Sequence, residues 1–298
     1  MSVDFCGLTL AHQVINGSGT FDAIAARKAF GDELKDSFPF AAYVSKTITL
    51  EPRPGNPPPR LWETPAGLIN SIGLPNRGLE AYLRDDLPEI SAMRSDPTCS
   101  ADGLAHPVAL ITNVMGSTVE ELAALVEACD ERSEISAIEL NVSCPNVKTG
   151  LDIGADPAQL EAVVAGVRGR TAKPLIVKLT PNAADVPRCA EGAQAGGADA
   201  VSLINTLRAM ALAPGSSTGE PWLGGGTGGL SGAAIRPVAL AQVAAVARRV
   251  EIPIVGMGGV QSSGDARQLL DVGATLVAVG TESFRDPAAG GRVARGLL

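Results

Sequence analysis

Histidine and aromatic residues are scarce in this chain. Two His, six Phe, two Tyr and two Trp stand among 298 residues, and aromatics make up only 3%. Proteins that hold single-stranded nucleic acid stack bases on aromatic rings, and few are on offer. A formal net charge of −8 adds repulsion toward any polyanion, so nucleic acid is not an expected partner. The five cysteines fall at positions 6, 99, 129, 144 and 189. They give neither a disulfide framework nor a Cys-x-x-Cys metal pair, which points to a reduced, cytoplasmic protein. No apolar run approaches the ~20 residues of a membrane span. The opening Met1-Ser2-Val3-Asp4-Phe5-Cys6 lacks the basic and long apolar segments of a signal peptide. No His/Asp/Glu cluster has metal-ligand spacing, and no Gly-x-Ser-x-Gly elbow is present. His12 and His106 lie near no motif and are expected to be surface or structural residues.

Hydrophobic residues make up 45% of the chain, enough for a large core. Short β-branched runs recur along it: Val14–Asn16, Ala41–Lys46, Pro107–Asn113, Ala137–Val142, Leu175–Leu179, Ala200–Asn205, Ile252–Met257 and Thr275–Val279. Helical segments separate most of them. Ser117-x-x-Glu120 reads as a capping box, after which Leu122, Leu125, Val126 and Cys129 fall on one face, making Cys129 a core residue. Asp156-Pro157 reads as an N-cap with Pro at the first helical position. Further helices are expected from about Ala183 to Gly196-Gly197, from Gly232 to Arg249 and from Gly264 to Val272. Continuous apolar strands alternating with helices are the mark of a buried parallel sheet. Eight of them over residues 1–298 predict a single (β/α)8 TIM barrel with its active site at the C-terminal ends of the strands. A doubly wound sheet is the alternative. Two stretches break the rhythm. Glu51 to Asn76 carries prolines at 52, 54, 57, 58, 59, 65 and 75, which excludes helix or central strand, and its apolar residues favour an ordered functional loop. Ser95 to His106 reads as a polar surface insertion.

The residues closing the strands are a selective set: Ser18, Lys46, Asn113, Asn141, Lys178 and Asn205. Amides, amines and a hydroxyl without a carboxylate suit an anionic heteroaromatic ligand, although Lys46 and Lys178 also fit rim lysines that snorkel to solvent. The last two strands end in Gly258-Gly259 and Gly280-Thr281, which bring bare backbone N–H groups to the usual phosphate position of such barrels. Gly224 to Gly229 formally matches a dinucleotide fingerprint, but no βαβ unit surrounds it and that reading is rejected. The strand Ile135–Val142 stops at Ser143-Cys144-Pro145. Pro145 ends any central strand, leaving a thiol in a polar turn, where Cys144 can act as a proton shuttle.

Taken together, Asn141-Val142-Ser143-Cys144-Pro145-Asn146-Val147-Lys148, Lys46 to Pro57, Glu63 to Leu74, Ile204-Asn205-Thr206, Gly226 to Gly232 and Ile254 to Gly259 resemble the class 1 dihydroorotate dehydrogenases, and subclass 1B in particular. The resemblance runs through nearly the whole chain in order. It implies an FMN enzyme of pyrimidine biosynthesis that oxidises (S)-dihydroorotate to orotate. By that resemblance, FMN is held by Ser18, Lys46, Thr47, Asn113, Asn141, Lys178, Ile204, Gly232, Gly258, Gly259, Gly280 and Thr281. Substrate is held by Lys46, Asn70, Ser71, Ile72, Gly73, Leu74, Asn141, Asn205 and Thr206, and Cys144 is the catalytic base. Segment Ser143–Ile153 is then a lid, and Lys178 stabilises the reduced flavin. Subclass 1B further implies a homodimer within a heterotetramer, whose second subunit carries FAD and a [2Fe–2S] cluster and passes electrons to NAD. This chain has neither the cluster spacing nor a dinucleotide fingerprint. Three features depart from the pattern besides the 95–106 insertion: Met115, Gly150-Leu151 and Arg208. The competing readings are a dihydropyrimidine dehydrogenase-like FMN barrel, a fumarate-dependent class 1A-type acceptor and a flavin-free phosphate-binding scaffold.

Overall fold

The computed structural model describes residues 2–31, 38–94, 108–142 and 153–298. In chain order the strands are β1 (Val3–Phe5), β2 (Leu8–Leu10), β3 (Val14–Asn16), β4 (Ala42–Val44), β5 (Leu61–Thr64), β6 (Gly67–Asn70), β7 (Ala109–Val114), β8 (Ala137–Asn141), β9 (Leu175–Lys178), β10 (Ala200–Leu203), β11 (Leu207–Ala209), β12 (Gly228–Ser231), β13 (Ile254–Met257) and β14 (Leu276–Val279). Eight of them form one parallel sheet in the order β3-β14-β13-β10-β9-β8-β7-β4. Helices follow most of these strands, among them Val119–Asp130, Pro157–Arg168, Val186–Ala195, Arg236–Ala247 and Ser263–Asp271. This is the (β/α)8 barrel expected from the sequence.

The two edge strands meet without a regular ladder. Ala41 N donates to Val14 O at 3.0 Å. Beyond that bond, the side chain of Asn16 stands in for a strand backbone. Its Nδ2 donates to Val44 O at 2.8 Å and its Oδ1 accepts from Val44 N at 2.8 Å. Asn16 is fully buried at this seam.

Alternation along the strands divides the apolar residues into two packed groups. Ile15, Val44, Ile111, Ala137, Ile176, Ala200, Val255 and Ala278 fill the barrel interior, closed below by Phe5 and Leu10 of the β1–β2 hairpin. Val14, Leu110, Ile138, Leu140, Val177, Val201 and Val277 face outward and pack on helix residues such as Leu122, Val126, Leu160, Val164 and Val243. Extending the inward series toward the C-terminal ends reaches Asn113, Glu139, Asn141, Lys178 and Ser202. All five are buried, so a polar storey sits on the apolar interior.

Several local expectations are corrected. The helix Val119–Asp130 is capped by Thr118, not Ser117. Thr118 is the extended residue, and its hydroxyl accepts from Glu121 N, while the Glu121 carboxylate takes Ser117 N at 2.7 Å. The helix expected from Ala183 starts at Val186, because Asp185 accepts from Arg188 N and acts as the cap. Glu51–Asn76 does contain strand. β5 and β6 occupy proline-free windows on either side of Pro65, and β6 lies inside a four-stranded antiparallel sheet ordered β11-β12-β6-β5. The expected loop up to Gly232 supplies β11 and β12 of that sheet. Asp156 caps its helix as expected, accepting from Ala158 N and Gln159 N.

Candidate functional site

A cavity of about 1510 Å³ opens at the C-terminal ends of the barrel strands. That exceeds the ~300–1,000 Å³ of an ordinary single-ligand pocket and leaves room for two ligands side by side. Ser18, Lys46, Thr47, Asn141, Lys178, Ile204, Gly232, Gly258, Gly259, Gly280 and Thr281 line it, together with Asn70, Ile72, Gly73, Leu74, Asn205 and Thr206. The structure therefore gathers into one space nearly all the residues singled out from the sequence. Asn113 and Ser71 do not line the cavity; each is fully buried behind its wall. Cys144, like Cys99, His106 and the rest of 95–107 and 143–152, lies outside the described residues.

The floor is set by strand register. Asn141 and Ser202 are the partners of Lys178 on either side. Lys178 is 6% exposed, and among the described residues its ammonium forms no hydrogen bond or ion pair. A buried ammonium without a counter-charge is costly, so this position favours an anion or a dense set of acceptors above it. Asn141 Nδ2 donates to Thr47 Oγ1 at 3.3 Å, tying β8 to the segment after β4. Behind Asn141 lies Glu139, 4% exposed. Its Oε2 accepts from Asn113 Nδ2 at 2.5 Å and its Oε1 from Ser202 Oγ at 2.7 Å. Asn113 Oδ1 is buried without a partner among the described residues.

One wall is lined by Gly232, Gly258-Gly259 and Gly280-Thr281. Gly258 and Gly259 have φ of 134° and 73°, backbone that a side chain rarely adopts, and a Cβ on Gly258 would sit 2.7 Å from Ala239 Cβ. Among the described residues no hydrogen bond occupies the N–H of Gly258, Gly259, Gly280 or Thr281. Thr281 Oγ1 donates to Ser231 Oγ at 2.8 Å, and Ser18 Oγ to Ser45 O at 2.8 Å. A ring of open amide donors of this kind suits a phosphate.

Another part of the lining is the loop after β6. Ser71 Oγ donates to Thr227 O at 2.8 Å and accepts from Asn56 Nδ2 at 3.0 Å. Asn56 N donates to Ile72 O at 3.0 Å. Asn70 Nδ2 donates to Gly229 O at 3.2 Å. The glycine run at 224–229 is thus a packing surface for this loop. A Cβ on Gly225 would fall against Ser71 Oγ and 2.8 Å from Asn56 Nδ2. That agrees with rejecting a dinucleotide fingerprint there.

The other described titratable candidates are structural. Burial pushes Cys129 up to about 12 and Cys189 to about 11. Burial, then Asp199, raises Cys6 to about 11. These three thiols stay protonated at neutral pH. Burial pushes His12 down to about 4, where its neutral ring accepts from Val14 N at 3.2 Å. Sequence reasoning missed Asn16, Ser45, Asn56, Glu139 and Ser202. Only Glu139 left a trace, as a lone acid inside an apolar strand.

Comparison with known proteins gives the family. A family model described as dihydroorotate dehydrogenase matches residues 1–298. The chain is 43% identical over 298 residues to the dihydroorotate dehydrogenase B (NAD(+)), catalytic subunit, of Pelobacter propionicus, covering 100% of this chain and 92% of that protein. It is 44% identical over 300 residues to the protein of the same name from Desulforudis audaxviator, covering 99% and 91%. The Geobacter sulfurreducens protein of that name is 41% identical over 298 residues, covering 99% and 90%.

Proposed function

The chain belongs to the dihydroorotate dehydrogenase family, and from that premise we propose that it is the FMN-bearing catalytic subunit of a class 1B enzyme. It oxidises (S)-dihydroorotate to orotate in pyrimidine biosynthesis. The observation that carries this reading is one cavity whose lining combines open-amide glycines, a buried Lys178 whose ammonium has no ion pair among the described residues, and the braced Asn70–Leu74 loop.

The residues present fit FMN. Open N–H groups at Gly258, Gly259, Gly280 and Thr281 match a phosphate, with Gly232 and Ser18 beside them. Lys178, Lys46, Thr47, Asn141 and Ile204, with the orphaned oxygen of Asn113 behind them, match a ring rimmed by polar atoms. When bound, FMN supplies the acceptor for the hydride leaving C6 of dihydroorotate. The chain's own residues do the rest. Lys46, Asn70, Asn205 and Thr206, with the backbone of Ser71 to Leu74, grip the carboxylate and the ring amides of the substrate. Lys178 offsets negative charge at the floor. Cys144, by its place in the Asn141–Lys148 segment, takes the C5 proton as general base. Among the described cysteines none competes for that role, since burial holds all three as thiols.

The relatives' name couples a catalytic subunit to NAD(+). We assign FAD, the [2Fe–2S] cluster and NAD binding to a separate partner subunit, joined to a homodimer of this chain. Free thiols at Cys6, Cys129 and Cys189 are in keeping with a reducing, cytoplasmic setting. No helix among the described residues is long and apolar enough to cross a membrane.

An anaerobic absorbance titration tests the reading. The purified chain reconstituted with FMN should lose its flavin band on adding dihydroorotate and keep it on adding dihydrouracil. Cys144→Ala should retain the flavin and bleach at least ~10²-fold more slowly. A band that resists dihydroorotate, or a variant that bleaches at the wild-type rate, would refute the substrate or the base respectively.

A further inference from the structure

The open amides of the cavity come from two separate loops. Gly258 and Gly259 follow β13, and Gly280 and Thr281 follow β14. The ladder between those strands ends at the pair Met257 and Ala278. Beyond it, among the described residues, no backbone hydrogen bond joins the two loops. Amides from both can serve one anion only if the loops keep a fixed spacing, because a hydrogen bond weakens steeply with distance and angle. Side chains supply that spacing. Gln261 Nε2 donates to Glu282 Oε2 at 3.1 Å. Arg292, on the helix Ala289–Arg295, reaches both loops at once. Its Nη1 donates to Gln261 O at 2.8 Å, its Nη2 to Glu282 Oε1 at 3.3 Å and its Nε to Asp286 Oδ2 at 3.0 Å. The first loop is braced further by Asp265, whose Oδ2 accepts from Gln261 N at 3.1 Å and Ser262 N at 3.0 Å, and whose Oδ1 pairs with Arg236.

Arg292 is not part of the cavity lining, and its side chain is 45% exposed. Ion pairs so open to water add little to stability. What the guanidinium offers is a rigid planar fork that fixes several acceptors relative to one another. Glu282 does line the cavity, so a carboxylate stands next to amides that suit an anion. Both its oxygens are engaged, Oε2 by Gln261 and by Arg285 Nη1 at 3.5 Å, Oε1 by Arg292, which commits its charge to the tie. We propose that Arg292 is a positioning residue. From outside the cavity it ties the loop after β13 to the loop after β14, and so sets how strongly the protein distinguishes a phosphorylated flavin from its unphosphorylated form. The inference rests on the reading that the cavity holds FMN with its phosphate at these glycines.

The test is a comparison of FMN with riboflavin, which lacks only the phosphate, by quenching of flavin fluorescence on the apoprotein. Wild type should prefer FMN by at least ~10²-fold. Arg292→Leu should cut that preference at least ~tenfold while riboflavin affinity stays within about twofold. Arg292→Lys keeps the charge without the fork and should match the Leu variant to within about threefold. A Lys variant with the wild-type preference would show that charge alone suffices and would overturn the tie. A Leu variant with an unchanged preference would overturn it too, as would one that loses both flavins equally, the mark of a merely structural role. Circular dichroism checks that the Leu variant is folded. If it is not, Arg292→Gln, which keeps a polar side chain at this half-exposed position, is read by the same ratio. Equal affinities in wild type would take the phosphate away from these loops and overturn the proposal. Failure of wild type to bind either flavin would instead remove the FMN reading on which the inference stands.

Discussion

Lys178 is where solvation energy and function pull against each other most plainly. Removing an unpaired ammonium from water costs several kcal/mol, and Lys178 is 6% exposed without an ion pair among the described residues. The apoprotein carries that cost, and the acceptor atoms of a bound flavin ring offset it, more so once the ring is reduced and anionic. Lys178→Met should therefore move two readouts in opposite directions. The apoprotein should gain about 1–3 kcal/mol in urea unfolding, while FMN affinity falls at least ~tenfold. A variant that loses stability without flavin would mean that Lys178 has a structural partner and is not held in reserve for a ligand. At this scale the sequence exposed the residues that close apolar runs. Lys46, Asn141, Lys178 and Asn205 each follow a β-branched stretch, and each lines the cavity. It could not say which way Glu139, Ser202 or Asn16 faces. A polar residue inside a strand looks the same in sequence whether it faces solvent or the closed interior, and only closure of the sheet decides which.

The loop after β6 shows how an element is held by contacts far away in sequence. Its polar braces come from Asn56 and Thr227, and the glycine run beyond β11 forms the surface behind it. Gly225 sits where any side chain would press on Ser71 and Asn56. Gly225→Ala should push the Asn70–Leu74 loop out of register by overpacking, which typically costs ~1–3 kcal/mol. The expected signature is a rise of about tenfold in KM for dihydroorotate with FMN affinity unchanged, because a Cβ at 225 meets Ser71 and Asn56 and none of Gly258, Gly259, Gly280 or Thr281. A loss of flavin with no change in KM would show that the two parts of the lining do not act separately. Proline content made this stretch legible as irregular and functional, yet it hid β5 and β6. Pro65 sits in the tight turn between them, outside both strands, so the chain keeps its ladder N–H groups where it needs them. The glycines at 224–229 were legible as something other than a dinucleotide loop. Their actual purpose left no local trace, because it depends on a segment more than 150 residues earlier.

Across the whole molecule, eight apolar runs and the spacing of helices between them were sufficient to announce a parallel barrel. Each run is buried on both faces, so it needs no polar alternation. Two things escaped: the β1–β2 hairpin that plugs the base with Phe5 and Leu10, whose strands are too short for period to register, and the device that closes the sheet. An eight-stranded barrel needs its first and second strands to pair, yet β3 and β4 are not neighbours in the ladder. Asn16 supplies the missing bonds, giving and taking one hydrogen bond with Val44 in the geometry of a peptide group. Asn16→Leu keeps the branched shape and leaves the N–H and C=O of Val44 buried and unmet, at about 1–3 kcal/mol each. The apoprotein should lose roughly 2–6 kcal/mol in urea unfolding, most of it through faster opening of this seam. Asn16→Asp retains the acceptor for Val44 N and loses the donor to Val44 O, so its loss should be intermediate. Hydrogen exchange on β3 and β4 separates these cases. In Asn16→Leu the amides of both strands should exchange by local opening, while those of β8 and β9 on the far side stay protected to the global limit. Uniform exchange across all eight strands would mean that the seam opens only with the whole barrel, and that the single Ala41–Val14 bond is sufficient to close it.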